Sequence, residues 1–401
     1  MIDALPLLLG PEGYQISRSV RLRSSASAYF SRTAGTPTNN TVWTVSMWVK
    51  RGLLSTNQTL IAGSTYAMMG FRGADDLLHI WNNAGAATDS PVGIRRDPSA
   101  WCHVVYSSNG TTITGYFNNA QFVSWTGTIT NFNSAGTQYI GRDSSGDYFD
   151  GYLTEVNFID GQALDPSYFG ETDAVTGVWK PKKYTGTYGT NGFYLNFSDN
   201  TSTTTIGYDY SGNGNNWTAN NISLTSGVTY DSMLDVPTQW ADGGNGRGNY
   251  AVMNPLDRNS SGTVADGNLK WSAGAAQVCV RGTFAIPSSG KWYMECVVGS
   301  ASSSVVGVSF GLATADVNLS SSAGATGLYQ LYASANRQIN LNNSTTGSVS
   351  GGFSANDVLQ IAVDVDNSKM WLGVNNTWYN STYTANGDPA TGANATSTTS
   401  A

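Results

Sequence analysis

The sequence predicts an all-β protein made of two antiparallel β-sandwiches, with very little helix. Three observations carry this. Charged residues are only 12% of the chain while Gly numbers 46 and aromatics reach 11%, a composition suited to short strands joined by polar turns. No stretch holds an apolar period of 3.6 residues, the mark of an amphipathic helix. Short runs instead alternate with period two and are bounded by Gly, Asn and Asp. The clearest is Tyr152–Ile159: strict alternation puts Tyr152, Thr154, Val156 and Phe158 on one side, and Leu153, Glu155, Asn157 and Ile159 on the other. A chain of 401 residues can bury two separate cores.

Charge and composition exclude several functions. Net charge is −7 and no Lys/Arg cluster forms the basic stripe that phosphates require, so no nucleic-acid partner is expected. The apolar run Ala4–Leu9 is too short to span a bilayer and lacks a positive flank, so no membrane insertion or export signal is expected. Residues 1–17 read as an attachment arm whose contact residues are Leu5, Leu7, Leu8 and Leu9. Three cysteines, Cys102, Cys279 and Cys296, are too few for a disulfide scaffold and read as small hydrophobes. The Asn-x-Ser/Thr triplets at Asn57, Asn109, Asn216 and Asn343 are what chance supplies in a chain so rich in these residues.

In chain order, residues 17–33 and 41–52 alternate strongly, with Val42, Trp43, Val45, Met47, Trp48 and Val49 as core bulk. Two short strands follow around Leu60 and Leu78. Residues 101–123 then read as a strand, an Asn-Gly turn, a strand and an Asn-Asn turn. The Thr137–Gly170 stretch closes the series. Its Gly151, Tyr152, Leu153, Glu155 and Val156 fit the strand that reads GYIDEV in the laminin-G-like, concanavalin A-like lectin sandwich, and the chain resembles that family here. Thr154 stands where the family has Asp. Residues 191–223 resemble a segment that opens the domain in many relatives, so a terminal strand is expected from the C-terminal side. The resemblance implies a concanavalin A-like jelly roll over 18–224.

Residues 225–268 read as a Gly-rich linker, pressed against a domain by Trp240 and Tyr250. From 269 to 383 the chain resembles a SPRY sandwich, through Gly290–Glu295, Val308–Ala313, Asp357–Asp366 and Trp371–Asn375. That pattern is incomplete, because the chain passes into a low-complexity tail over 384–401; truncation is expected. Within this domain, residues 277–298 read as a hairpin. A two-residue loop at Pro287-Ser288 would place Cys279 opposite Cys296, and a longer, bulged loop would separate them. Either way two nearby, buried, reduced thiols are expected.

No enzymatic activity is expected. Glycanases need two carboxylates across a sugar, and on this fold they use an E-x-D-x-x-E strand that the chain lacks. Glu155 stands alone, and Asp364 and Asp366 match a strand end that is structural in SPRY domains. His79 and His103 have no partners at metal-ligand spacing, and there is no Gly-x-Ser-x-Gly elbow. No cofactor is expected beyond calcium at Asp143 and Asp147, acids in a Gly/Ser turn where an Asp more often forms an Asx-turn. Sugars are held by exposed aromatic faces and amides. Trp81, Trp125, Trp217 and Trp378 adjoin Asn- or Gly-rich turns and are the candidates, whereas Trp48, Trp101, Trp292 and Trp371 read as core.

The pairing of these two sandwiches resembles proteins of tailed-bacteriophage particles. That resemblance implies a non-enzymatic protein at the particle surface, made in the host cytoplasm. It would be a tail fibre or receptor-binding protein recognising host surface glycan, tied to other virion proteins through its arm and homo-oligomeric within the particle. The alternatives are a capsid decoration or cement protein and, further off, a glycan depolymerase.

Overall fold

The structure is a computed structural model. It describes residues 13–64, 67–82, 92–238, 246–274, 278–299, 307–320, 325–333 and 335–398. The chain forms two units: Met1–Pro255 with Val264–Lys270, and Leu256–Thr263 with Trp271–Ala401. Strands dominate both, as composition predicts.

The first unit opens with β1 (Ser19–Leu22), β2 (Tyr29–Ala34), β3 (Val42–Arg51) and β4 (Gln58–Ala62). Next come β5 (Met68–Phe71), β6 (Leu78–Trp81), β7 (Cys102–Asn109), β8 (Thr112–Phe117) and β9 (Ala120–Thr126). The series continues with β10 (Gly136–Ile140), β11 (Gly151–Asp160), β12 (Gly170–Thr172) and β13 (Trp179–Pro181). It ends with β14 (Phe193–Leu195), β15 (Thr218–Asn220) and β16 (Ser232–Met233). One sheet runs β16-β1-β11-β3-β7-β8-β9, with β14 also on β11; the other runs β15-β2-β10-β4-β5-β6. Between them lies an aromatic core. Trp43 packs on Phe132 at 4.6 Å between ring centroids, Phe158 stacks on Phe193 at 5.6 Å, and Phe193 meets the edge of Trp217 at 4.9 Å. Each such side chain contributes about 1.5–3 kcal/mol through burial. Strands from beyond residue 170 complete both sheets: β14 pairs with β11 and β15 with β2.

Strict alternation fails on β11. The ladder to β3 runs Thr154↔Trp48 and then Asn157↔Ser46, so one extra residue is inserted. Glu155 sits at this bulge with φ +52°. The insertion inverts the side-chain parity. Leu153, Val156 and Phe158 therefore all reach the core, where unbroken alternation would have put Leu153 and Val156 on opposite faces.

Much of 225–268 is not a linker. β16 extends the first sheet beside β1. Asp231 accepts from Arg21 Nε at 3.1 Å and Arg23 Nε at 2.8 Å, and Asp235 accepts from Lys50 Nζ and Trp101 Nε1, each at 2.7 Å. Gly267 donates to Asp150 at 2.6 Å and accepts from the Tyr152 hydroxyl at 2.7 Å. The cause is the set of cationic side chains on β1 and β3, which the fold buries and which therefore need anions. Tyr250 is 45% exposed; its carbonyl accepts from Lys50, and Trp240 lies outside the described residues.

The second unit is reached through β17 (Met253–Arg258), β18 (Gly262–Ala265), β19 (Lys270–Ala273) and β20 (Val280–Gly282). Its main strands are β21 (Lys291–Val297), β22 (Val308–Ala313), β23 (Leu328–Ala333) and β24 (Asn336–Leu341), then β25 (Ser344–Ser350), β26 (Val358–Asp364), β27 (Lys369–Val374) and β28 (Thr377–Tyr379). They form two four-stranded sheets, β21-β26-β27-β28 and β22-β23-β24-β25. The core combines Leu359, Ile361, Leu372 and Val374 of one with Leu331, Ala333 and Ile339 of the other.

Three expectations for this unit are corrected. The cysteine hairpin does not form: β21 pairs along its whole length with β26, Cys296 opposite Leu359, while the Cys279 N–H donates to the Leu319 carbonyl at 3.0 Å. The seven-residue ladder to β26 outcompetes the local turn, and both thiols are free and only partly buried. Trp292 is 43% exposed rather than core. It shares the parity of Met294 and Cys296 but lies at the strand end, its indole N–H on the Ser289 carbonyl. The tail from 384 is built into the unit. The Trp371 indole N–H donates to the Ala393 carbonyl at 2.8 Å, the Leu372 N–H to Thr396 Oγ1 at 2.9 Å, and Met370 bridges Ser397. These groups of β27 would otherwise be buried without partners.

Candidate functional site

The outer faces of the first unit's two sheets differ. That of the eight-stranded sheet is covered by the chain's own later segments. Tyr184, Tyr188 and Tyr194 pack with Val105, Ile159 and Phe169 over one half, and Trp48, Trp101, Tyr152 and Val252 close the other.

Glu155 lies under this cover. The bulge turns its side chain out of the core, and the Tyr194 hydroxyl donates to it at 2.8 Å, the Tyr14 hydroxyl at 2.9 Å. The two hydroxyl oxygens stand 2.6 Å apart. Burial pushes the carboxyl up to about 7, against the hydrogen bonds from both phenols and the charge of Lys183. The three groups form one hydrogen-bonded cluster, in which the Tyr194 hydroxyl reaches both carboxyl oxygens at 2.8 Å. The group therefore tethers the segment at Tyr14. The last residues of the predicted arm belong to the fold: Ile16 is 2% exposed and its N–H donates to Thr238 Oγ1 at 2.9 Å. Leu5, Leu7, Leu8 and Leu9 lie outside the described residues.

His103 is also covered. Its Nδ1 accepts from the Trp179 indole N–H at 3.0 Å, so Nε2 carries the proton and donates to Ser46 Oγ at 2.8 Å. The ring stacks on Trp48 at 5.0 Å, and burial brings its pKa down to about 3. It is a neutral packing residue.

The six-stranded sheet is open at its β15-β2-β10 end. Phe30 and Ile140 point into the core, so the alternate residues point out: Tyr29, Ser31 and Thr33 on β2, Thr137 and Tyr139 on β10, Thr218 and Asn220 on β15, all at least partly exposed. Register places Tyr139 and Thr218 beside Ser31, Thr137 beside Thr33, and Asn220 beside Tyr29. The Asn220 amide donates to Ser31 Oγ at 3.0 Å. The result is a strip of hydroxyls and an amide, about 17 Å long at ~3.3 Å per residue, with tyrosines at one end. At the other end of β2 and β10, Thr36–Asn40 with Ser134 and Ala135 line an open depression of about 410 Å³. Asp160 fixes one wall by accepting from the Thr38 N–H at 2.6 Å and the Asn39 N–H at 3.1 Å.

The loop after β10 supplies the site's cation. The Arg142 guanidinium lies over the rings of Tyr29, Tyr148 and Tyr139 at 4.9, 4.9 and 5.2 Å. Its Nε donates to the Asp143 carbonyl at 2.6 Å and its Nη1 to the Tyr148 hydroxyl at 3.0 Å. Asp143, proposed for calcium, accepts from the N–H groups of Gly146 at 2.7 Å and Asp147 at 2.9 Å. It is an Asx-turn acceptor that shapes the loop. Burial and the neighbouring Asp143 raise the pKa of Asp147. Among the described residues, no group of three or more His, Cys, Asp or Glu side chains could hold a metal ion.

The four predicted tryptophans do not converge. Trp217 is 2% exposed, wedged between Phe193 and Arg32. Trp81 is 9% exposed and tilted against His79. These two offer no open face; their Asn-rich surroundings misled because the polar turns fold away and leave the ring beneath. Trp125 is partly buried against the first core. Trp378, in the second unit, meets the edge of Tyr293 at 6.4 Å. Sequence reasoning missed Tyr29, Tyr139, Tyr148 and Arg142. The available signal was the polar half of the alternation in Tyr29–Thr33 and Thr137–Tyr139.

Part of the first unit is similar to a known family. Residues 24–167 match the sequence model of the laminin G type within the concanavalin A-like lectin/glucanases superfamily. No curated protein matches the chain. Among solved structures, a putative carbohydrate binding protein from Bacteroides ovatus is similar at 17% identity and a TM-score of 0.37, over 52% of this chain and 59% of its own. Domain 4 of AbnA, an extracellular arabinanase from Geobacillus stearothermophilus, solved with arabinotriose, is similar at 20% identity and a TM-score of 0.33, over 39% of this chain and 80% of its own. The SAP-like pentraxin of Limulus polyphemus has 16% identity and a TM-score of 0.28, over 37% and 77%. The chain thus spans less than two thirds of the first of these proteins. The segment so matched, residues 24–167, lies within the first sandwich.

Proposed function

We propose that the protein is a non-catalytic glycan-binding protein, and that the open β15-β2-β10 strip of the first unit holds the sugar. The observation that carries this reading is the row of outward Tyr, Ser, Thr and Asn side chains on a rigid sheet, beside a hydroxyl- and amide-lined depression. Sugars need apolar ring faces and directional hydroxyl and amide partners together. The lectin-type domain and the carbohydrate-binding protein of similar fold support glycan as the ligand class. The absence of catalysis is supported by Glu155, which lies on the opposite outer face beneath two tyrosines.

The finer reading is a virion surface protein of a tailed phage, a tail fibre or receptor-binding protein recognising host surface glycan. Its support is the pairing of a lectin-type sandwich with a second sandwich that resembles SPRY domains in sequence. The segment before residue 13 would join other virion proteins. Incubation with host surface polysaccharide should retain ligand and release no reducing ends. Reducing ends above background would overturn the non-catalytic reading, and no retention would overturn the glycan reading.

A further inference from the structure

We infer that the Arg142 end of the strip selects glycans bearing carboxylates, such as uronic or nonulosonic acid residues. The inference rests on the glycan reading and deepens it. Arg142 is partly exposed and makes no ion pair among the described residues. This is unlike Arg21, Arg23 and Arg51, each of which has a buried aspartate partner. Its Nε and Nη1 are committed to the Asp143 carbonyl and the Tyr148 hydroxyl, which leaves Nη2 without an acceptor among the described residues.

The nearby acids do not neutralise it. Asp143 is 3% exposed with its carboxylate bonded to two backbone N–H groups, and the Asp147 side chain hydrogen-bonds with Asn57. The guanidinium is also fixed in place, over three tyrosine rings at once. A planar cation so held presents its remaining donors in one geometry, and the natural complement is a planar carboxylate on a sugar stacked against Tyr29 or Tyr139.

The test is a glycan array carrying neutral, carboxylated, sulfated and phosphorylated sugars, probed with the full chain and with R142Q and R142K. Thermal unfolding of each variant checks that the fold is intact. The expected result is binding confined to carboxylated sugars, weakened about 10- to 100-fold in R142Q and partly restored in R142K. Methyl esterification of the bound sugar should weaken the wild type to the level of R142Q. Binding to neutral sugars, or unchanged binding in R142Q, would overturn the carboxylate inference and leave the glycan reading standing. Sulfated or phosphorylated ligands alone would overturn the carboxylate assignment. No binding anywhere on the array would remove the glycan reading and this inference with it.

Discussion

The two outer faces of the first sandwich began as the same kind of surface, the polar half of alternating strands, and ended differently. On the eight-stranded sheet that half carries Lys50, His103, Glu155 and Asn157, groups that water would ordinarily satisfy. The fold covers them with later segments, and each is satisfied by protein: Lys50 by Asp235, Asn249 and the Tyr250 carbonyl, Glu155 by two phenols, and Asn157 by Tyr188. On the six-stranded sheet, the β15-β2-β10 end carries hydroxyls and tyrosines that need no such cover, and it stays open. Polar groups under a roof act as structural tethers, whereas the same chemistry left in water can recognise a ligand.

The sharpest way to break this comparison is to remove one tether. Lys50→Met leaves the Asp235 carboxylate buried without a cation, with the Trp101 indole and the Tyr250 backbone N–H as its remaining donors. Loss of one partner of a buried pair costs about 3–5 kcal/mol. Urea unfolding should show that loss; a change below about 1 kcal/mol would mean that the 235–250 segment is not held by this pair.

Glu155 gives the next largest effect and a signature in pH. Its folded pKa of about 7 lies above the ordinary 4.5. The stability it contributes is therefore fully present below pH 4.5 and is lost as pH rises through 7. The span corresponds to about 3 kcal/mol. His103, lowered from 6.5 to about 3, acts oppositely: its contribution is present above pH 6.5 and is lost as pH falls toward 3. The two trends oppose each other between pH 4.5 and 6.5, so the informative quantity is the difference between wild type and Glu155→Gln. That variant should gain on wild type from pH 5 to pH 8. A difference constant with pH would show that Glu155 does not titrate in this window.

Smaller still is the expected stability effect on the open face. Tyr139→Ala should change unfolding free energy by about 1 kcal/mol or less, because its ring is only partly covered, while weakening glycan retention at least several-fold. A large stability loss with unchanged retention would turn the strip into packing. The smallest effect concerns the loop: adding calcium or a chelator should leave the unfolding temperature unchanged, since Asp143 is already engaged by two N–H groups. A rise of several degrees with calcium would restore the metal reading.

The main strands of both sandwiches and their order were legible in residues alone, because period-two alternation and Gly/Asn punctuation are local properties of the chain. So was the late completion of the first sandwich by residues 191–223. The strands within 225–268 and the partner of β21 were not legible there. Parity was not: the bulge at Glu155 is set by the ladder to β3, and a single inserted residue moved Leu153 onto the face of Val156. Nor could local pattern say which polar turns fold over a ring, as at Trp217, or which Gly-rich stretch is drawn in by buried cations, as around Asp231 and Asp235. The tail shows the same limit, since its partner, β27, lies some twenty residues earlier in the chain. Alternation requires only that one face of a strand be apolar. Whether the other face meets water or a distant segment depends on pairings made across more than a hundred residues, and that only the tertiary structure decides.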